Sequence, residues 1–308
     1  MNEKRLDPYF LGGIFLCLFG AICFSTKAIF VKLAYKDTDV APVTLLALRM
    51  IFSLPFFTVS AFLSSNQSTN VKFSKKQWLA IAGIGCLGYY VSSLLDFLGL
   101  QYVTAGIERL ILFIYPTLVL AISSTIFKTR ITSRQWLAVA VTYVGLIAAC
   151  LPEIQGETGP GENFWKGSLL ILICALTYAM YIVGSGKLIP LVGSSKFNSY
   201  AMSFAALAVI IHFFVTSGAS LTEQPSTVYA YSFGMAIIGT VIPSYLIAEG
   251  INRIGSGNAA IVGSVGPVST IVQAAIFLQE PINALQLVGT ALILGGVLMV
   301  GQKKQVEV

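Results

Sequence analysis

Apolar residues along this chain come in long blocks separated by short polar joints. Blocks of about 17–25 residues are long enough for a helix to cross a hydrocarbon core of ~30 Å. Ten such blocks are predicted, near 11–34, 43–63, 77–100, 104–126, 134–151, 164–188, 197–217, 228–249, 256–278 and 282–301. The first follows Lys4 and Arg5, in the manner of a signal peptide. It runs on past Lys27 to Leu33 without a clear small-residue cleavage site, so it is read as a retained helix.

Composition supports a membrane class. The 308 residues are 56% hydrophobic and 10% charged, against ~25% charged in soluble domains. The five cysteines, 17, 23, 86, 150 and 174, lie inside apolar blocks without C-x-x-C spacing or clustered histidines. They read as small buried hydrophobes, and neither a metal nor a cofactor is expected. The net charge of +6 comes from basic residues scattered over short loops. That distribution fits membrane orientation better than nucleic-acid binding.

An even number of spans puts both termini on one side. Lys4, Arg5, Lys72, Lys75, Lys76, Lys128, Arg130, Arg134, Lys187, Lys196, Arg253, Lys303 and Lys304 fall at one set of alternating ends. Asp37, Asp39, Glu153, Glu157, Glu162, Glu223 and Glu280 fall at the other. The positive-inside rule then predicts cytoplasmic termini in a plasma (inner) membrane.

The chain also repeats itself. An ungapped offset of 151 positions superimposes Gly83 on Gly234, Gly88 on Gly239, Ser93 on Ser244, Gly99 on Gly250, Pro116 on Pro267, Gln135 on Gln286 and Gly145 on Gly296. The first block aligns at an offset of 155, pairing Gly12 with Gly167 and Lys32 with Lys187. The joint is the polar PEIQGETGPGEN at 152–163. Five spans in each half, an odd number, predict that the second half enters the membrane inverted. Inverted halves around a shared site are the architecture of alternating access.

The segments GGIFLCLFGAICFSTKAIFVKLA and LLALRMIF, the proline helices IERLILFIYPTLVL and AAIVGSVGPVSTIV, and FLQEPINALQLVGTALILGGVLMV carry a resemblance to the EamA-type branch of the drug/metabolite transporter superfamily. The resemblance implies an all-α fold of ten helices in two inverted five-helix repeats, 12–150 and 166–301, joined outside the cell by 151–165. It also implies export of metabolites or drugs. The sequence departs from the family pattern at Thr129, where members usually carry an acid.

Five charges sit inside apolar blocks, all in the predicted outer half: Lys27, Arg49, Asp96, Glu108 and Arg109. A bare charge at the membrane centre costs at least ~2.5 kcal/mol, so mutual pairing is expected. Three positive against two negative charges leave an excess suited to an anionic group, most simply a carboxylate, or to a zwitterion such as an amino acid. Lys27, Arg49 and Arg109, with Tyr89, Tyr115, Tyr178 and Tyr181 as pore-lining hydroxyls, are the candidate substrate-binding residues. Asp96 and Glu108 are the candidate carboxylates for a coupling proton. Pro116 and Pro267 each remove a helix donor and are the candidate kink positions. Gly255, Ala259, Gly263 and Gly266 read as a small-residue stripe for close helix approach. The expected partners are a small polar metabolite and the lipid bilayer.

The alternative is a membrane-embedded enzyme or a sensor whose charges form a structural ion-pair network. Against an enzyme, the sequence has no H-E-x-x-H and no G-x-S-x-G. Against a sensor, its longest predicted loop is about a dozen residues, too short for an output domain.

Overall fold

The computed structural model describes residues 7–66, 72–103, 108, 111–126, 128, 130–154, 163–217, 220–277, 282 and 284–301. Among them there is no strand. The helices are α1 Pro8–Asp37, α2 Pro42–Ser65, α3 Lys75–Gly85, α4 Ser92–Gly99, α5 Tyr115–Ile126 and α6 Ser133–Ile154. They continue as α7 Phe164–Val192, α8 Ser194–Thr216, α9 Ser226–Ala236, α10 Ile242–Val262, α11 Gly266–Phe277 and α12 Ala284–Gly301. A π-turn, Cys86–Val91, joins α3 to α4, and another, Ile237–Val241, joins α9 to α10. Six continuous helical stretches among the described residues are long and apolar enough to cross a membrane. One of these, Ser226–Phe277, is 52 residues long and is broken within α10 at Gly255.

Local chemistry sets the element ends. Asp7 accepts from the Tyr9 amide and Pro8 opens α1, where its missing N–H costs nothing. Ser74 and Gln77 form a reciprocal capping box at α3. Gly193 alone separates α7 from α8 at φ +88°, and Gly255 breaks α10 at φ +77°. Both conformations favour a residue without Cβ.

The 151-position offset reappears in these bounds. Helices α3 and α9 begin and end 151 residues apart, as do α5 and α11, and the two π-turns start 151 residues apart. Packing follows the same relation. Helix α4 packs on α7 as α10 packs on α1, and α5 lies against α7 as α11 lies against α1. Helices α2 and α8 pair with each other, and so do α6 and α12. Glycines permit the close crossings: a Cβ at Gly99 would strike Ile171 of α7, and one at the equivalent Gly250 would strike Cys17 of α1. Large apolar side chains such as Phe15, Phe19, Leu79, Trp165 and Val215 are exposed on the outside, as lipid contact requires.

Candidate functional site

A cavity of about 50 Å³ lies where α1, α5, α7, α10 and α11 meet. That volume suits a few water molecules rather than a metabolite. Its wall includes Phe24 and Ser25 of α1, Tyr115 of α5, Tyr178 of α7 and Pro267 of α11. The wall is made of helix interruptions. Pro116 and Pro267 each stand second in their helices, and Pro267 follows the 3₁₀ turn Gly263–Val265. Tyr115 donates to the carbonyl of Ala260 at 3.1 Å. Its hydroxyl also occupies the space a Cβ at Gly263 would need. The Ser25 hydroxyl lies 2.8 Å from the Ala21 carbonyl and 2.9 Å from that of Gly266, and donates to one at a time. Carbonyls on either side of the 3₁₀ turn, those of Ala260 and Gly266, are thereby met by side chains from α5 and α1.

Next to this cavity lies a buried polar layer. Lys27 of α1 donates to Asp96 of α4 at 2.5 Å, and both side chains are almost wholly buried. Arg49 of α2, 0% exposed, donates through Nε to the Thr240 hydroxyl at 2.7 Å and stacks its guanidinium over Phe97 at 5.6 Å. Thr240 sits in the second π-turn and itself donates to the Met235 carbonyl at 2.8 Å. The π-turn thus holds the hydroxyl that serves Arg49, anchored on a carbonyl near the end of α9. Glu108 is fully buried.

An aromatic series links the two layers. Tyr115 meets Tyr178 at 5.3 Å between ring centroids, Tyr178 meets Tyr181 at 6.0 Å, and Tyr181 meets Tyr89 at 5.0 Å. Phe24 stacks on Tyr178 at 6.0 Å, with the Lys27 ammonium 5.0 Å from its ring centroid. Beyond the charges lies an open polar vestibule of about 380 Å³, lined by Lys32, Tyr35, Asp39 and Gln101 among others. Lys32 donates to the carbonyls of Leu100 and Val103 past the end of α4, and Tyr35 donates to that of Phe97.

The candidate residues therefore fall into two sets. Tyr115, Tyr178 and Pro267 line the cavity, whereas Lys27, Arg49, Asp96, Tyr89 and Tyr181 do not. Pro116 is buried at the start of α5. Arg109 lies outside the described residues. Gly255 does not belong to a helical stripe, because its positive φ breaks α10. Nor do Gly263 and Gly266 continue one, since a 3₁₀ turn lies between them and α10. Other polar residues serve packing: Gln273 donates to the Ile22 carbonyl, Glu249 pairs with Arg253 at 2.7 Å, and His212 meets the Tyr90 ring. Among the described residues no three His, Cys, Asp or Glu side chains gather around a metal position. Phe24, Ser25 and Thr240 were not singled out from sequence. The one available signal for Thr240 was its register with Tyr89 at the repeat offset.

The EamA-like transporter family model matches the chain twice, over residues 11–150 and 165–302. The chain belongs to this family. Among similar proteins, "Uncharacterized transporter YcbK" of Bacillus subtilis (strain 168) is 32% identical over 303 residues, covering 97% of this chain and 94% of the relative. "Biotin transporter" of Escherichia coli (strain K12) is 21% identical over 201 residues, covering 64% and 65%. A solved crystal structure superposes with a TM-score of 0.72 at 17% identity, covering 93% of this chain and 95% of the other, a likeness of fold. Like its relatives by name, this EamA-like protein is a membrane transporter, and its two family matches flank the 152–163 joint.

Proposed function

We propose that this EamA-like protein is a secondary-active carrier of the plasma membrane that exports a small polar organic metabolite by alternating access. In this reading 12–150 and 166–301 are inverted five-helix repeats, ten spans in all, with both termini cytoplasmic and 151–165 outside. The observation that carries it is the cavity's construction from equivalent positions of both halves. Leu112 and Gly263, and Tyr115 and Gly266, are 151 residues apart and all four line it. A site on the pseudo-symmetry axis is what two exchanging repeats require.

The proposed substrate bears a carboxylate, alone or with an ammonium as in an amino acid. Lys27, Arg49 and Arg109 supply cations for the first group, and Asp96 and Glu108 anions for the second. The name of the biotin transporter is in keeping with a carboxylate, since biotin carries one. Either acid takes the coupling proton when substrate draws its cation away. Glu108→Gln is then expected to lose proton-driven accumulation while keeping exchange; driven transport surviving in both Glu108→Gln and Asp96→Asn would rule the coupling out.

A second reading is favoured by one observation: Lys27 and Asp96 are paired and lie off the cavity. In this reading the charges form a structural ion-pair network that joins α1 to α4. Thermal stabilisation of the purified protein by a panel of amino acids, monocarboxylates and cationic amphiphiles tests the substrate class. A ligand at 100 times its Kd adds roughly 2.7 kcal/mol by mass action. Stabilisation by zwitterions or carboxylates, lost in Lys27→Met, is expected; stabilisation by cations alone would contradict the proposal.

A further inference from the structure

The repeat offset relates the cavity wall to the buried charges. Three apolar residues of that wall are Ile182 of α7 and Ile247 and Ala259 of α10. Their equivalents in the first half, 155 residues earlier for Ile182 and 151 earlier for the other two, are Lys27, Asp96 and Glu108. These three are buried, and Lys27 is locked to Asp96. One half therefore offers aliphatic groups to the cavity while the matching charged groups of the other half are packed away from it.

Position along α1 gives the same division independently. Cys17, Ala21, Phe24 and Ser25 line the cavity, and Lys32, Tyr35 and Thr38 line the vestibule. Lys27 lies between them, ~8 Å along the axis from Lys32 at 1.5 Å per residue. On the other side of the pair, Asp96 of α4 is followed by the vestibule residues Leu100 and Gln101.

We infer that the Lys27–Asp96 pair is the gate between cavity and vestibule, and that exchange of the two halves turns Lys27, Asp96 and Glu108 into the cavity wall. This rests on the alternating-access reading above. When the halves exchange conformations, the first takes the shape the second has now, and its residues inherit the exposure of their equivalents. The polar groups of a zwitterion then find their partners in the vestibule-facing state: the carboxylate meets Lys27 and the ammonium meets Asp96 or Glu108. Opposite the vestibule, the cavity presents the aliphatic set, from which a charged substrate dissociates readily. Paired and closed, the two charges satisfy each other; opened, they need water or substrate, so substrate helps to hold the gate apart.

The test uses the full chain with all five native cysteines replaced, one reporter cysteine at a time, and a positively charged methanethiosulfonate as probe. Val31→Cys reports the vestibule side, one turn beyond Lys27, where Val31 is now buried. Ala259→Cys reports the cavity. Adding Lys27→Met, or Asp96→Asn should the first fail to fold, is expected to raise the Val31→Cys reaction rate at least tenfold and to lower that of Ala259→Cys. An unchanged Val31→Cys rate would overturn the gate, as would equal acceleration at both reporters, which marks general loosening. The rates are read without substrate, so a failed gate leaves the carrier reading to the flux assay, and absent flux leaves the gate to the labelling.

Discussion

The Thr240 hydroxyl accepts from Arg49 Nε at 2.7 Å while donating to the Met235 carbonyl at 2.8 Å, tying α2 to the second π-turn. The guanidinium it serves is fully buried, and the two terminal guanidinium nitrogens find no hydrogen-bond acceptor among the described residues. Thr240→Val keeps the shape and removes the acceptor. It is expected to cost about 1.5–3 kcal/mol, the range for a hydrogen bond to a charged group. Thr240→Ser should recover most of that in the same detergent melting series. Equal melting temperatures for Thr240→Val and the parent would mean that this bond does not hold the buried cation.

Gly88 and Gly83 lie five residues apart and have opposite surroundings. A Cβ on Gly88 would overlap the Tyr181 ring, whereas one on Gly83 meets nothing within 4 Å. Gly88→Ala is expected to destabilise by about 1–3 kcal/mol through overpacking. Gly83→Ala should be neutral or stabilise by up to ~1 kcal/mol, from helix propensity. Thermal melts of the two variants check the sign of each.

Two ion pairs among the described residues differ in the same way. Glu249 and Arg253 are each 29% exposed, and an exposed pair contributes roughly 0–1 kcal/mol. Lys27 and Asp96 are sealed from solvent, and removing one partner strands the other, at about 3–5 kcal/mol. Lys27→Met should therefore lower the melting temperature well beyond Glu249→Gln.

How much of this could be read in advance differs by residue. Length and apolarity were enough to outline helices such as Pro42–Ser65, because lipid forces the backbone to satisfy itself within each span. The Gly and Pro register between the halves was visible because those residues leave few substitutes at close crossings and breaks. Charge balance indicated that Lys27 needed an anion, but pairing with Asp96 rather than Glu108 depends on how α1 crosses α4. Thr240 left little trace: a hydroxyl in an apolar run looks the same whether it bonds its own helix or an arginine on another. Gly255 was misassigned because composition does not distinguish a packing glycine from one at φ +77°.

Orientation has its own test. Asp39 is exposed beside the vestibule. In a cysteine-free chain, Asp39→Cys should react with an impermeant maleimide added to intact cells. Reaction only after permeabilisation would invert the proposed topology and put the Lys27–Asp96 gate on the cytoplasmic side.

If two exchanging halves carry a carboxylate-bearing or zwitterionic solute past Lys27 and Asp96, proteoliposomes holding only this protein should support counterflow of that solute. Vesicles loaded with one unlabelled amino acid or monocarboxylate are diluted into a trace of the same solute, radiolabelled. Transient accumulation above protein-free vesicles is predicted for at least one such solute, with at least a tenfold loss of apparent affinity in Lys27→Met. Accumulation confined to cationic solutes, or affinity unchanged in Lys27→Met, would rule out carriage of such a solute past this pair.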